Sequence, residues 1–81
     1  MNETILYRSP VICYEISRDN SSYHIDVYIE GFRGSDSKDL HCRLQNFSED
    51  FIKVQKFAQL LSQSAALPIH IPELAEEFLS V

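Results

Sequence analysis

Between residues 11 and 45 apolar and polar side chains alternate in three separate runs, and from residue 47 onward the apolar spacing becomes helical. In the first run Ile12, Tyr14 and Ile16 share one face, with Val11, Cys13 and Glu15 on the other. In the second, residues 22–30, Tyr23, Ile25, Val27 and Ile29 alternate with His24, Asp26, Tyr28 and Glu30. In the third, residues 39–45, Leu40, Cys42 and Leu44 alternate with Asp39, His41, Arg43 and Gln45. Period-two patterns rich in β-branched and aromatic residues specify half-buried strands. Arg18-Asp-Asn-Ser21 reads as a four-residue turn, because Asp, Asn and Ser side chains bond their own backbone. That turn pairs Ile16 with Tyr23, Tyr14 with Ile25 and Ile12 with Val27, and sets Glu15 opposite His24. Strands two and three align with Val27 opposite Cys42 and Ile25 opposite Leu44, which leaves Asp26 beside Arg43 as an ion pair on the solvent side. Thr4-Ile-Leu-Tyr7 reads as the start of strand one, kinked at Pro10. Proline cannot donate to a ladder, so strand one belongs at an edge.

The helical stretch opens at Ser48, an N-cap residue followed by Glu49 and Asp50 at the positive end of the helix dipole. Phe47 and Ile52 stand at the spacing of a hydrophobic staple. Phe51, Val54, Phe57, Ala58, Leu60 and Leu61 form an apolar stripe, with Lys53, Gln55, Lys56, Gln59 and Gln63 toward water. A last helix starts at Pro68 or Pro72, both compatible with a first helical turn. It turns Leu74, Ala75, Phe78 and Leu79 inward and Glu73, Glu76 and Glu77 outward. A sheet with one apolar face needs a cover. The prediction is a single α+β domain over residues 1–81: a three-stranded antiparallel meander, then two short helices packed on one face, in the order β-β-β-α-α. The first helix lies across Ile12, Tyr14, Ile25, Val27, Cys42 and Leu44.

With 81 residues there is little volume for a buried substrate cavity, so a site must be a surface cleft or lie between subunits. Twelve acidic residues against seven basic ones give a formal charge of −5. No segment is basic, which opposes nucleic acid and anionic membranes as partners. The first ten residues lack the basic and apolar regions of a signal peptide, and no run is long enough for a membrane-spanning helix. Two cysteines are too few for a disulfide scaffold, so the expected setting is the cytosol with both thiols free.

Candidate chemistry is sparse. His24, His41, Cys13 and Cys42 do not make a metal site, because His41 and Cys42 are adjacent on a strand and point to opposite faces. Cys13 and Cys42 also fall on opposite faces. The expectation is a packed Cys42 and solvated histidines, with no metal and no cofactor. Glu73, Glu76 and Glu77 read as a solvated helix face. Gly31 and Gly34 do not precede a helix, so they make no phosphate loop. No serine stands in a nucleophile-elbow context, and no catalytic residue is expected. His70, between Pro68-Ile69 and Ile71-Pro72, is the most distinctive residue. It reads either as a ligand anchor at a helix N-terminus or as a structural cap of backbone groups in the turn. Val11, Tyr28 and Phe32 are candidates for an exposed interaction surface on the open side of the sheet.

The stretches Tyr14-Glu-Ile16, Tyr23-His-Ile-Asp-Val27, Phe47-Ser-Glu-Asp50, Leu67-Pro-Ile-His-Ile71 and Leu74-Ala-Glu-Glu-Phe-Leu79 together resemble a family of small uncharacterised proteins of clostridial and related Firmicute bacteria. The chain departs from that pattern with Leu67 where a serine cap is usual and with a second proline at position 72. The resemblance implies the fold and a bacterial cytosolic origin, and brings no activity. The leading expectation is a non-catalytic protein-interaction or regulatory module that binds a protein partner or itself. The alternative is a small-ligand binder with its site near the Pro-Ile-His turn.

Overall fold

The computed structural model describes residues 4–8 and 11–79. They form a four-stranded antiparallel sheet in the order β1-β2-β3-β4, with a layer of two helices on one face. The strands are β1 (Thr4–Arg8), β2 (Ile12–Asp19), β3 (Ser22–Ile29) and β4 (His41–Ser48). Helix α1 covers Phe51–Ser64, and a 3₁₀ turn at Pro68–His70 leads into α2, Ile71–Leu79. The α+β order holds, but the sheet has one strand more than its alternation predicts. Thr4–Arg8 is a strand of its own rather than the start of β2, and its Ile5 and Tyr7 pair with Ile16 and Tyr14. Two inward residues in five are too short a run to register as a period. The edges are therefore β1 and β4, and β2 lies inside the sheet. The expected kink at Pro10 lies outside the described residues.

The β2–β3 hairpin is tighter than expected. Asp19 pairs with Ser22, leaving a two-residue turn in which Asn20 takes a left-handed φ of 60°. Ile16 then faces Ile25, Tyr14 faces Val27 and Ile12 faces Ile29. This register differs from the expected one by two residues. A shift of two preserves every side chain's face, whereas a shift of one reverses them all. The β3–β4 register is as expected, with Ile25 opposite Leu44, Asp26 opposite Arg43 and Val27 opposite Cys42. Beyond Leu44 a bulge intervenes, so that Tyr23 pairs with Ser48, and Asn46 sits within the bulge at φ 53°.

Helix α1 starts two residues later than an N-cap at Ser48 would place it. The N-cap is Asp50, whose carboxylate accepts the Ile52 and Lys53 amides. Ser48 instead closes β4, and its hydroxyl accepts the Asp50 amide. With the start displaced, Ile52 faces solvent and the Phe47–Ile52 staple does not form. Phe47 stacks on Phe57 at 5.0 Å, and Phe78 packs on the same ring at 4.8 Å. The helix ends in a left-handed Ala65, with the Ala66 amide donating back to the Leu61 carbonyl. Both prolines serve the last element. Pro68 opens the 3₁₀ turn and Pro72 occupies the first turn of α2.

Val54, Phe57, Ala58 and Leu61 of α1 and Ile71 and Ala75 of α2 close over Ile12, Tyr14, Ile16, Ile25 and Val27 of the sheet. Tyr14 is fully buried there and donates to the Ala66 carbonyl at 2.8 Å, so the middle of the sheet is bonded to the link between the helices. Leu79, expected inward, is exposed. Among the described residues no helix is long and apolar enough to cross a membrane.

Candidate functional site

The face of the sheet without helices carries the chemistry. Strand parity places Cys13 and Glu15 of β2, His24, Asp26 and Tyr28 of β3, and His41 and Arg43 of β4 on that side. The sequence pattern predicts this side to be solvated, yet Cys13, Glu15, His24, Asp26 and Tyr28 are all buried. The β3–β4 connection, residues 30–40, supplies part of the cover.

Glu15 and Asp26 stand directly opposite each other. Adjacent carboxylates repel, and each is matched by cations. Arg33, from the β3–β4 connection, grips Glu15 with both arms of its guanidinium, Nη2 to Oε1 at 2.7 Å and Nε to Oε2 at 3.2 Å. The Tyr28 hydroxyl donates to the same carboxylate at 3.1 Å, and the Arg33 guanidinium lies over the Tyr28 ring. Asp26, only 1% exposed, accepts Arg43 Nη1 on one oxygen and His41 Nε2 on the other, both at 2.8 Å. The Asp26–Arg43 neighbourhood matches expectation, but the carboxylate is buried rather than on the solvent side.

Backbone contacts fix the histidine tautomers. The Gly34 amide donates to His41 Nδ1 at 2.8 Å, so Nδ1 carries no proton and Nε2–H donates to Asp26. The Asn46 amide donates to His24 Nδ1 at 2.8 Å, so this ring caps the N–H freed by the β4 bulge. His24 Nε2–H is buried without a hydrogen-bond partner. The histidines expected to be solvated are thus inside the network, and each holds an irregular backbone amide.

The charges shift the titrating groups in consistent directions. The Arg33 fork holds the Glu15 carboxyl below its ordinary range, against the opposing effect of burial, and the Tyr28 hydroxyl adds to the lowering. Burial pushes the Tyr28 phenol up to about 12, helped by its bond to the Glu15 carboxylate. Glu15 likewise raises Arg33 further above its already high value. Burial pushes the Cys42 thiol up as well.

The sequence-level candidates are dispersed by this geometry. Tyr28, expected on an exposed surface, is 9% exposed and belongs to the polar network. Phe32 and Val11 are exposed, at 48% and 58%. The Glu30 amide donates to the Val11 carbonyl, which brings Val11 to the end of the sheet where the Phe32 loop begins. His70 is exposed, and only its backbone amide is seen to bond in the turn, to the Leu67 carbonyl. A cleft of about 330 Å³ lies beside that turn, lined by Pro68, Ile69 and Pro72 and by Lys38, His41, Cys42 and Arg43. His70 does not line it. Cys13 and Cys42 are free thiols on opposite faces. Among the described residues no group of three or more His, Cys, Asp or Glu side chains is placed to hold a metal.

Arg33 and Gly34 are the members of the polar network that sequence reasoning misses. Carboxylates at positions 15 and 26 signal a need for cations, but a loop arginine's reach across the sheet leaves no local pattern. No curated protein and no solved structure matches the chain. The model of a family of unknown function, DUF6514, matches residues 2–81, and the chain belongs to that family.

Proposed function

We propose that this is a non-catalytic protein-contact module that meets a protein partner, or a second copy of itself, with the loop carrying Phe32. One observation carries the reading: Phe32 is half exposed on a backbone that is tied down on both sides. Before it, the Ile29 amide donates to the Leu40 carbonyl and the Phe32 amide to the Ile29 carbonyl. After it, Arg33 is forked onto Glu15, the Gly34 amide is bonded to His41, and the Ser35 amide donates to the Phe32 carbonyl. An aromatic ring displayed on a pre-ordered loop loses little further entropy when a partner covers it, which is what a contact anchor requires. Val11 extends the same surface. Tyr28 serves it from beneath, as a support for Arg33.

The polar network favours a structural reading of its acids and bases. His41 has both ring nitrogens committed, and each of Glu15 and Asp26 is held by a cation. A general base needs a free lone pair directed at substrate. The reading keeps the cytosol as the setting and needs no cofactor, nucleic acid or membrane. The net charge of −5 supports the last two exclusions.

The test compares wild-type and Phe32→Ala chains in self-association by sedimentation and in capture of a protein partner from extract of the source organism. Loss of an anchor weakens association by roughly 30-fold, with circular dichroism and melting unchanged because the side chain is exposed. Unchanged association in both assays rules the loop out as the contact. Tyr28→Ala is a poor substitute, because it dismantles the support as well.

A further inference from the structure

We infer that the cleft between β4 and the Pro-Ile-His turn binds a small organic anion, a carboxylate or a phosphate monoester on a compact apolar body. Lys38 and Arg43 both reach the cleft, two of only seven cationic residues in a chain of net charge −5. Arg43 commits Nη1 to Asp26, which leaves its Nε and Nη2 donors for a second anion. Lys38 makes no ion pair among the described residues, so its charge is not tied to a carboxylate at salt-bridge distance. Its acidic sequence neighbour Asp39, and Glu73 beside Pro72, are not in the lining. Asp26 lies buried behind Arg43 with its charge already shared.

Besides Lys38, Arg43 and His41, the lining is apolar: Pro68, Ile69, Pro72 and Cys42. The Cys42 thiol is held protonated by burial, so it presents a neutral surface to an incoming anion. A volume of about 330 Å³ stands at the lower end of small-molecule sites and exceeds what a bare inorganic ion fills. A lining that combines two cationic residues with a proline–isoleucine wall fits a head group with a short apolar body. The inference does not depend on Phe32 or on protein contact, and it replaces His70 with Lys38 and Arg43 as the polar anchors.

The test is an amide ¹H–¹⁵N titration of the full chain with benzoate, phenyl phosphate and benzylamine, which share a ring and differ in head group. Benzoate or phenyl phosphate should shift the Cys42 and Ile69 amides saturably, with benzylamine inert, and the tighter of the two names the head group. Lys38→Met should weaken that binding about tenfold. Lys38 is exposed on a loop, so the variant keeps its fold, and Lys38→Glu should abolish binding. Equal response to benzylamine, undiminished affinity in Lys38→Met, shifts centred elsewhere, or no saturation by about 10 mM each overturn the inference.

Discussion

Glu15 and Tyr28 share one hydrogen bond and give the molecule opposite responses at the two ends of the pH scale. The Glu15 carboxyl is held below its ordinary 4.5, so the folded chain binds its proton less readily than the unfolded chain. Its contribution to stability is present above about pH 4.5 and is lost as pH falls through the lower folded value. Tyr28 is raised from 10 to about 12, so its contribution is complete below pH 10 and disappears between pH 10 and 12. Urea titrations across pH should show both losses, and Arg33→Ala should shrink the acid one. NMR of ¹³Cζ-labelled tyrosine, with Tyr28→Phe for assignment, should place the Tyr28 titration near 12. A normal titration near 10 would mean that the phenol is not buried against the carboxylate. At this scale the sequence was partly legible. The Asp26–Arg43 neighbours follow from strand parity alone. That Asp26 is buried, and that His41 and Arg33 close over the sheet, depends on the path of the β3–β4 loop, which has no periodic pattern.

Helix α1 shows how local signals compete. Ser48, Asp50 and the acids around them all favour a helix start, and the strand decides among them. The β4 bulge carries pairing on to Ser48, which keeps that residue extended and passes the N-cap to Asp50. Asp50→Ala should therefore cost about 1 kcal/mol in denaturant unfolding, and more than Ser48→Ala, which removes a single side-chain bond to the Asp50 amide. The reverse order would return the cap to Ser48. Strand faces were legible because period-two patterns survive a register error of two. Strand number was not, because the inward Ile5 and Tyr7 of β1 are too few to make a period. Helix α2 was legible as an element but not at its start, since either proline suits a first turn and only the fold separates a 3₁₀ turn from the helix that follows.

At the scale of the whole molecule, a meander of neighbouring strands is joined to its helical layer by apolar packing and by a buried hydrogen bond from Tyr14 to the Ala66 carbonyl. Tyr14→Phe keeps the ring and removes that bond, leaving the Ala66 carbonyl buried without its phenolic donor. The expected cost is about 1–2 kcal/mol, read from equilibrium unfolding, with the sheet and helix content unchanged in circular dichroism. A variant as stable as wild type would show that the hydroxyl contributes packing alone. The bond also has a meaning in time. Hairpins between successive strands close over short stretches of chain, whereas Tyr14 and Ala66 are 52 residues apart and meet only when the helices have docked. A bond that closes after the folding transition state predicts that Tyr14→Phe leaves the refolding limb of the chevron in place while the unfolding limb rises; a slowed refolding limb would place the bond in the nucleus.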